Sequence, residues 1–211
     1  MESDHQGAST QSQATSIRVS PSPKNLPSKM LIEHKSASKK LAELAAWDFV
    51  EAEKPNFSLA TVNPPMIYGP VAQLDSTANL NQSALDIWNL MTGHVKEVPP
   101  TPLPAFCDVR DVAQAHLKAF EHATGGRFLP VGGTFLFQDV CAILKDVAPE
   151  WAGLVPDPEG KPRHEHFLVD NSWTKKELGM SLRGLKETIT DTVESFRAMQ
   201  VRSSCFEQGF H

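Results

Sequence analysis

The chain has 211 residues, of which 40% are hydrophobic and 21% are charged, and its formal net charge is −5. This size and composition fit a soluble globular protein, and the acidic balance gives no sign of a nucleic-acid-binding surface. No apolar run approaches the length of a membrane span. The three cysteines form no Cys-x-x-Cys motif, which favours reduced thiols and a cytoplasmic location over a disulfide framework.

Residues 1–30 are rich in Ser, Gln, Thr, Pro and Lys and have no apolar periodicity. Such a segment buries too little apolar surface to offset its ordering entropy, so it is predicted to be a disordered leader. The helical spacing of apolar residues then predicts a helix over residues 36–54. The apolar face of this helix comprises Leu41, Leu44, Ala45 and Phe49, with Trp47 further round.

Residues 57–63 form a nearly continuous apolar run, typical of a buried parallel strand that Pro64-Pro65 would end. Further strands are predicted near residues 106–109 and 127–131. Asp111 is a candidate N-cap for a helix through His122. Other helices are predicted at residues 79–92, 137–147, 172–178 and 185–199. Leu185, Ile189, Val193 and Phe196 would line one face of the last helix. Alternating strands and helices indicate an α/β protein.

Several short motifs occur in a characteristic order. The predicted first helix carries Ser36-Ala37-Ser38-Lys39, and the following strand continues into Asn63-Pro64-Pro65-Met66-Ile67-Tyr68-Gly69-Pro70. Later segments are Leu80-Asn81-Gln82-Ser83, the block from Asp108 to His116, and Asn171 to Thr192. Together these segments resemble the extended short-chain dehydrogenase/reductases, in the dihydroflavonol-reductase-like and yeast ketone and methylglyoxal-reductase-like branch. The resemblance covers roughly residues 36–200.

The resemblance implies the C-terminal part of a Rossmann-type doubly wound parallel sheet plus a small substrate-binding region. The implied divisions are residues 36–70, with the active-site helix and a late Rossmann strand; residues 71–200, with the remaining elements; and a tail at 201–211. The implied activity is NADPH-dependent reduction of a ketone or aldehyde to an alcohol, of the kind found in fungal secondary metabolism. The partner would be a small carbonyl substrate, without nucleic acid or membrane.

The family's Tyr-x-x-x-Lys motif is incomplete in this chain. Lys39 matches the lysine, which in the family binds the nicotinamide ribose and lowers the pKa of the tyrosine, but the tyrosine position is Lys35. The resemblance also assigns cofactor-binding roles to Asn63, Pro64, Pro65 and Met66, at the end of a strand, and to Ser83. The proton donor is therefore missing from its expected position.

No Gly-x-x-Gly-x-x-Gly or Gly-x-Gly-x-x-Gly occurs in the sequence, so the first strands and the phosphate loop of the family are absent from it. The chain is predicted to be a truncated member that lacks activity on its own. The alternatives are a non-catalytic homologue that acts as an interaction module, or a shortened gene model. An uncovered edge of strand 57–63 would favour self-association.

The block of Asp108, Arg110, Asp111 and His116 is interpreted as a helix cap with a local ion pair, not as an acid/base site. The neighbouring pair His164 and His166 has no third ligand nearby, so no metal site is predicted. The glycine pairs 125–126 and 132–133 flank a strand and do not form a phosphate loop.

Overall fold

The computed structural model describes residues 28–72, 79–122, 125–160 and 162–207. In chain order the elements are α1 (Ser28–Glu53), β1 (Ala60–Val62), β2 (Met66–Tyr68), α2 (Gln82–Met91), β3 (Ala105–Asp108), α3 (Val109–Glu121), β4 (Gly126–Phe128), β5 (Gly133–Thr134), α4 (Phe137–Val147), a 3₁₀ turn (Pro158–Gly160), α5 (Ser172–Glu177) and α6 (Leu185–Glu207). Residues 1–27 of the predicted leader lie outside the described residues. Residues 28–30 belong to α1, so the predicted end of the leader at residue 30 is wrong.

The strands form two small sheets. β1 pairs in parallel with β4, with Ala60 opposite Gly126 and Val62 opposite Phe128. β2 pairs in parallel with β3, and β3 pairs in antiparallel fashion with β5. Helices separate β2 from β3 and β3 from β4, and the predicted α/β class with parallel pairing is confirmed.

The β1–β4 pair lies between two helices. Ala60 and Val62 pack against a buried cluster that includes Ala115 and Ala119 of α3. The side chain between them, Thr61, points the other way, because successive side chains alternate across a strand, and it bonds to α1. Helices on both faces of a parallel pair are the doubly wound arrangement that the sequence predicted.

The main core lies around α2, α4 and α6. Ile189, Val193 and Phe196 are completely buried, as predicted for one face of the last helix, and Leu185 is partly buried beside them. Aromatic rings reinforce this core in edge-to-face contacts, with Phe135 at the centre of a group that includes Tyr68, Phe106 and Phe137. The core holds β2 and β3 against the three helices.

The predicted apolar face of α1 does not pack on the sheet. Leu41, Leu44 and Phe49 are 66%, 45% and 51% exposed. The half-buried side instead carries Glu43, Ala46, Trp47 and Val50, which recur at helical spacing. Because α1 has apolar residues on two opposite sides, periodicity alone could not decide which side meets the sheet.

The N-cap of α3 also differs from the prediction. Asp108 occupies that position and its carboxylate accepts a hydrogen bond from the backbone N–H of Arg110 at 2.9 Å. Asp111 is fully buried in the first turn, where it accepts bonds from the backbone and side chain of Arg183. Asp111 therefore anchors α3 to the segment before α6 and does not cap a helix.

Other boundaries moved by a few residues. β1 and β4 are three residues each, shorter than the predicted strands, and β2 begins immediately after Pro65, in a segment for which no strand was predicted. None of the described helices is long and apolar enough to cross a membrane.

We predict that Asp108→Ala lowers the free energy of unfolding by about 3 kcal/mol, because it removes the cap of α3 and the buried acceptor for Arg110 and Thr188. Urea denaturation followed by circular dichroism at pH 7 measures this. The matched control is Asp191→Ala, which removes a half-exposed partner of the same arginine and should cost less than about 1 kcal/mol. Equal losses for the two variants would contradict the assignment.

Candidate active site

Glu43 joins α1 to the end of the β1–β4 pair. Its carboxylate accepts hydrogen bonds from Thr61 Oγ1 at 2.9 Å, from Asn63 Nδ2 at 3.2 Å and from Arg127 Nε at 2.8 Å. Within the described part of the chain, these are the side-chain hydrogen bonds that link α1 to the sheet. They fix the rotation of α1 about its axis and hold it against the strand ends.

The surroundings keep Glu43 ionised. Burial alone would raise the pKa of its carboxyl group, but the hydrogen bonds and charge of Arg127, with the bonds from Thr61 and Asn63, outweigh burial and lower the pKa below the ordinary 4.5. The Glu43 side chain is only 18% exposed, so little water competes for its oxygens. The ion pair with Arg127 is therefore a fixed part of the site.

Lys39 lies one helical turn before Glu43, on the same side of α1. Only residues 54–59 connect the end of α1 to the start of β1, so the helix runs back along the strand and its earlier turns lie at the strand's carboxyl end. Lys39 is exposed there. The carboxyl ends of strands are where ligands bind in doubly wound sheets. Lys35 lies a further turn away on the backbone of α1, and its side chain is outside the described part.

Asn63 follows the last residue of β1 and is bonded on two sides. Its backbone N–H donates to Phe128 O at 2.8 Å, and its side chain donates to Glu43. Pro64 and Pro65 come next; because proline has no N–H, they separate β1 from β2. Met66 opens β2 opposite Phe106 and packs partly against the main core. Of these four residues, Asn63 is the one tied to the helix that carries Lys39.

Ser83 lies in a cavity of about 570 Å³ on the other side of β2. The first turns of α2 and α3 both contribute to its wall, and Asn81, the N-cap of α2, bonds the backbone N–H of Ala84 at 2.9 Å. Residues of this wall include Tyr68, Asn81, Ser83, Val109, Arg110 and Thr192. Lys39, Asn63 and Met66 do not line the cavity, so the predicted site residues fall into two groups.

Arg110 forms part of the cavity wall, and two aspartates neutralise its charge. It donates to Asp108 through Nε at 2.9 Å and Nη2 at 2.7 Å, and to Asp191 at 2.6 Å. Burial would raise the pKa of Asp108, but the bonds from Arg110 and Thr188 lower it overall. As the sequence indicated, this block is a cap with a local ion pair. Within the described part of the chain, His116 bonds to Val112 O of its own helix.

Gly125 and Gly126, at the start of β4, have a conformational role. Gly125 has φ +68°, and a Cβ added there would collide with the carbonyl oxygen of Leu59. Gly126 donates its N–H to that same oxygen at 2.9 Å, which starts the β1–β4 pairing. The pair therefore makes a tight turn into β4, the strand that the two glycine pairs were predicted to flank. Among the described residues no cluster of three or more potential metal ligands occurs.

Neither Glu43 nor Arg127 is predicted from the sequence as a site residue. Glu43 lies four residues after Lys39, so the helical repeat already placed the two on one side, but a glutamate on a helix gave no reason to expect a partner on the sheet. Arg127 lies on β4, separated from Glu43 by 84 positions. Its pairing with Glu43 depends on the parallel register of β1 and β4, which no local sequence pattern encodes.

Comparison with known proteins gives a consistent set of relatives, although no protein-family model matches the chain. Ketoreductase azaE of Aspergillus niger is 38% identical over 167 residues, covering 75% of this chain and 49% of the relative. The NADPH-dependent methylglyoxal reductase GRE2 of Saccharomyces cerevisiae is 37% identical over 176 residues, covering 78% and 51%. The chain thus spans about half the length of the curated relatives it matches.

Solved structures agree with these relatives. Yeast methylglyoxal/isovaleraldehyde reductase Gre2 complexed with NADPH superposes with a TM-score of 0.64 at 37% identity, covering 79% of this chain and 51% of that one. Gre2 from Candida albicans gives a TM-score of 0.68 at 31% identity, covering 78% and 52%. The fold is therefore that of Rossmann-type reductases. Within that class, the chain belongs to the extended short-chain dehydrogenase/reductases, in the branch of the ketone and methylglyoxal reductases.

We predict that Glu43→Gln loosens α1. Protection of its amides against hydrogen exchange should fall about tenfold, because a charge-assisted bond becomes a neutral one. The folded-state pKa of Glu43 is lowered, so its contribution is present above pH 4.5 and is lost as the pH falls through the folded pKa.

Exchange corrected for intrinsic rates at pH 3 and pH 6 tests both statements. The wild-type chain should gain α1 protection at the higher pH, and the variant should not. The matched control is Glu51→Gln on the exposed side of the same helix, which should leave protection unchanged. Equal pH dependence in the wild type and Glu43→Gln would refute the role of Glu43.

Proposed function

We propose that this chain supplies the active-site helix and the substrate-binding part of an NADPH-dependent carbonyl reductase, which reduces a ketone or aldehyde to an alcohol. The observation that carries the proposal is the set of bonds from Glu43 to Thr61, Asn63 and Arg127. These bonds hold α1 so that the turn that carries Lys39 lies near the carboxyl end of β1. The names of azaE and GRE2 support a carbonyl substrate and an NADPH cofactor.

In this proposal Lys39 binds the hydroxyl groups of the nicotinamide ribose. Asn63, Pro64, Pro65 and Met66 flank the nicotinamide where β1 passes into β2. Bound NADPH would supply the hydride. The exposed ammonium group of Lys39 suits this role, because its helix is already fixed to the end of β1. Little conformational entropy is therefore lost when it binds the ribose.

Ser83 and the cavity extend the proposed site. The 570 Å³ cavity is large enough for a small organic carbonyl compound. Ser83, at the first turn of α2, would approach the cofactor ribose or phosphates from this side. Asn81 and Thr192 offer further polar atoms to a substrate, and Ile67, Val71 and Val109 offer apolar contacts. A mixed lining of this kind favours a small, partly apolar ketone or aldehyde.

The cofactor phosphates need a second part of the fold. The sequence has no glycine-rich phosphate turn, and the chain spans about half the length of its relatives. We propose that the remaining half of this fold provides that turn and completes the NADPH site. The chain as given would therefore not bind NADPH or reduce carbonyl compounds alone.

A second candidate is a non-catalytic homologue that acts as an interaction module. The observation that favours it is Lys35, which stands where the family has the proton-donating tyrosine. Loss of a positioned general acid typically costs 10²- to 10⁴-fold in rate. Tyr68, the single tyrosine of the sequence, cannot replace the missing proton donor. Burial and, to a smaller extent, the charge of Asp86 raise its pKa, so its hydroxyl group gives up a proton less readily.

We propose a cytoplasmic location and self-association as the remaining features. Cys107 and Cys141 are buried free thiols, and burial raises the pKa of Cys141 to about 11, which supports a reducing compartment. Among the described strands β1 has a partner on one edge only, and the backbone groups of Ala60 and Val62 point towards the other edge. Such an edge favours pairing with further protein.

The test compares three proteins: the chain itself, its Lys35→Tyr variant, and the variant fused to the remaining half of Gre2. NADPH fluorescence titration and carbonyl-dependent NADPH oxidation are measured for each. We expect binding and turnover only in the fused protein. In the fused protein, changing the introduced tyrosine back to Lys35 should lower kcat at least 100-fold while NADPH still binds.

A fused Lys39→Ala variant tests the assignment of Lys39. It should raise the Kd for NADPH, whereas Lys40→Ala, the neighbouring exposed lysine, should not. Activity of the unfused chain would refute the need for a second half. A fused protein that folds but neither binds nor oxidises NADPH would favour the non-catalytic homologue.

A further inference from the structure

The hydroxyl group of Tyr68 is buried and has no hydrogen-bond partner among the described residues. Tyr68 ends β2 and is only 3% exposed. Its ring is held in the main core, in edge-to-face contact with Phe135 at 5.6 Å between the ring centroids. An unpartnered buried hydroxyl group lowers the stability of a fold, so its presence needs an explanation.

The cavity of about 570 Å³ lies beside this hydroxyl group. Tyr68 belongs to the cavity wall, together with Ser83 and Ala84 in the first turn of α2. Burial and, to a smaller extent, the charge of Asp86 raise the pKa of Tyr68. Because Asp86 lies in α2, its effect places the hydroxyl end of the ring on the side of that helix. The unpartnered group and the α2 wall of the cavity therefore lie together.

We propose that the Tyr68 hydroxyl group determines substrate specificity by donating a hydrogen bond to an uncharged oxygen atom of the substrate, other than the carbonyl oxygen that is reduced. The substrate would be a ketone or aldehyde with a second oxygen atom, in an ether, an ester or another carbonyl group. This inference rests on the proposed function of the cavity. The bound oxygen would supply the partner that the described part of the fold does not.

The second oxygen atom is distinct from the reacting one because of where the other candidate residues lie. The carbonyl group that accepts the hydride has to lie near Lys39 and Asn63, at the end of β1. Neither of these residues lines the cavity, whereas Tyr68 does. A substrate that reaches both places presents a different atom to each.

The charges around the cavity favour an uncharged acceptor. Asp86 lies close enough to act on Tyr68, and Arg110 in the wall is already bonded to the carboxylates of Asp108 and Asp191. An ionised carboxylate of a substrate would be repelled there. The raised pKa of Tyr68 also keeps its hydroxyl group protonated at neutral pH, so it acts as a donor without giving up the proton.

Binding to the full chain without NADPH tests the inference separately from catalysis. The probes are methoxyacetone and 2-pentanone, which differ by an ether oxygen in place of one methylene group. In ¹H–¹⁵N correlation spectra both should shift the backbone amides of Gly69 and Ala84 in the cavity wall. Tyr68→Phe should raise the Kd of methoxyacetone about fivefold and that of 2-pentanone less than about twofold, because it removes one hydrogen bond. Levulinate, a keto acid, should bind more weakly than methoxyacetone.

Urea denaturation distinguishes a binding role from a structural one. Because the Tyr68 hydroxyl group bonds to no described residue, Tyr68→Phe should leave the midpoint unchanged or raise it. The matched control is Thr188→Val, which removes another buried hydroxyl group. Thr188 donates to Asp108 Oδ2 at 2.9 Å, so this variant should lower the midpoint.

A lower midpoint for Tyr68→Phe would overturn the inference, because the hydroxyl group would then have a partner within the fold. Equal weakening of methoxyacetone and 2-pentanone would overturn it as well, and so would binding of neither probe. Levulinate as the tightest probe would refute the preference for an uncharged oxygen. Binding of methoxyacetone that depends on Tyr68, together with a fused protein that does not oxidise NADPH, would support the role of Tyr68 and refute only the proposed reductase activity.

Discussion

The carboxylate of Glu43 is the interaction on which the candidate site depends. It collects three donors, from Thr61 on β1, Asn63 just beyond it, and Arg127 on β4. A single group thus fixes a helix to both strands of a parallel pair. The half-buried side of α1 otherwise carries the apolar side chains of Ala46, Trp47 and Val50, and apolar contacts alone are non-directional. The rotation of α1, and with it the position of the turn that carries Lys39, therefore depends on the charged group one turn away.

A second buried carboxylate organises the other half of the molecule. Asp108 ends β3, caps α3, and accepts bonds from Arg110 and from Thr188 of α6. It therefore joins a strand and two helices at the wall of the cavity. Removing such a charge from water is costly unless several donors replace the water, and here they do. The same block that marks the family in sequence is thus the joint that shapes the cavity.

The candidate residues fall into two groups on different parts of the fold. Lys39 and Asn63 lie at the end of β1, whereas Ser83 lines the cavity beside β2. In the proposed function the first group would hold the nicotinamide ribose, and the cavity would receive the carbonyl substrate. In this chain the strand–turn–strand segment from β1 through Pro64 and Pro65 to β2 connects them.

The sequence by itself determined the family, the α/β class, most helices and the buried face of α6, because these depend on local periodicity and on residues close in the chain. It also predicts a cofactor-binding role for Lys39 and an incomplete motif at Lys35. Only the tertiary structure decided which side of α1 meets the sheet, that Asp108 and not Asp111 caps α3, and that Glu43 pairs with Arg127. Those outcomes depend on strand register and on contacts between residues distant in the chain, which no local pattern encodes.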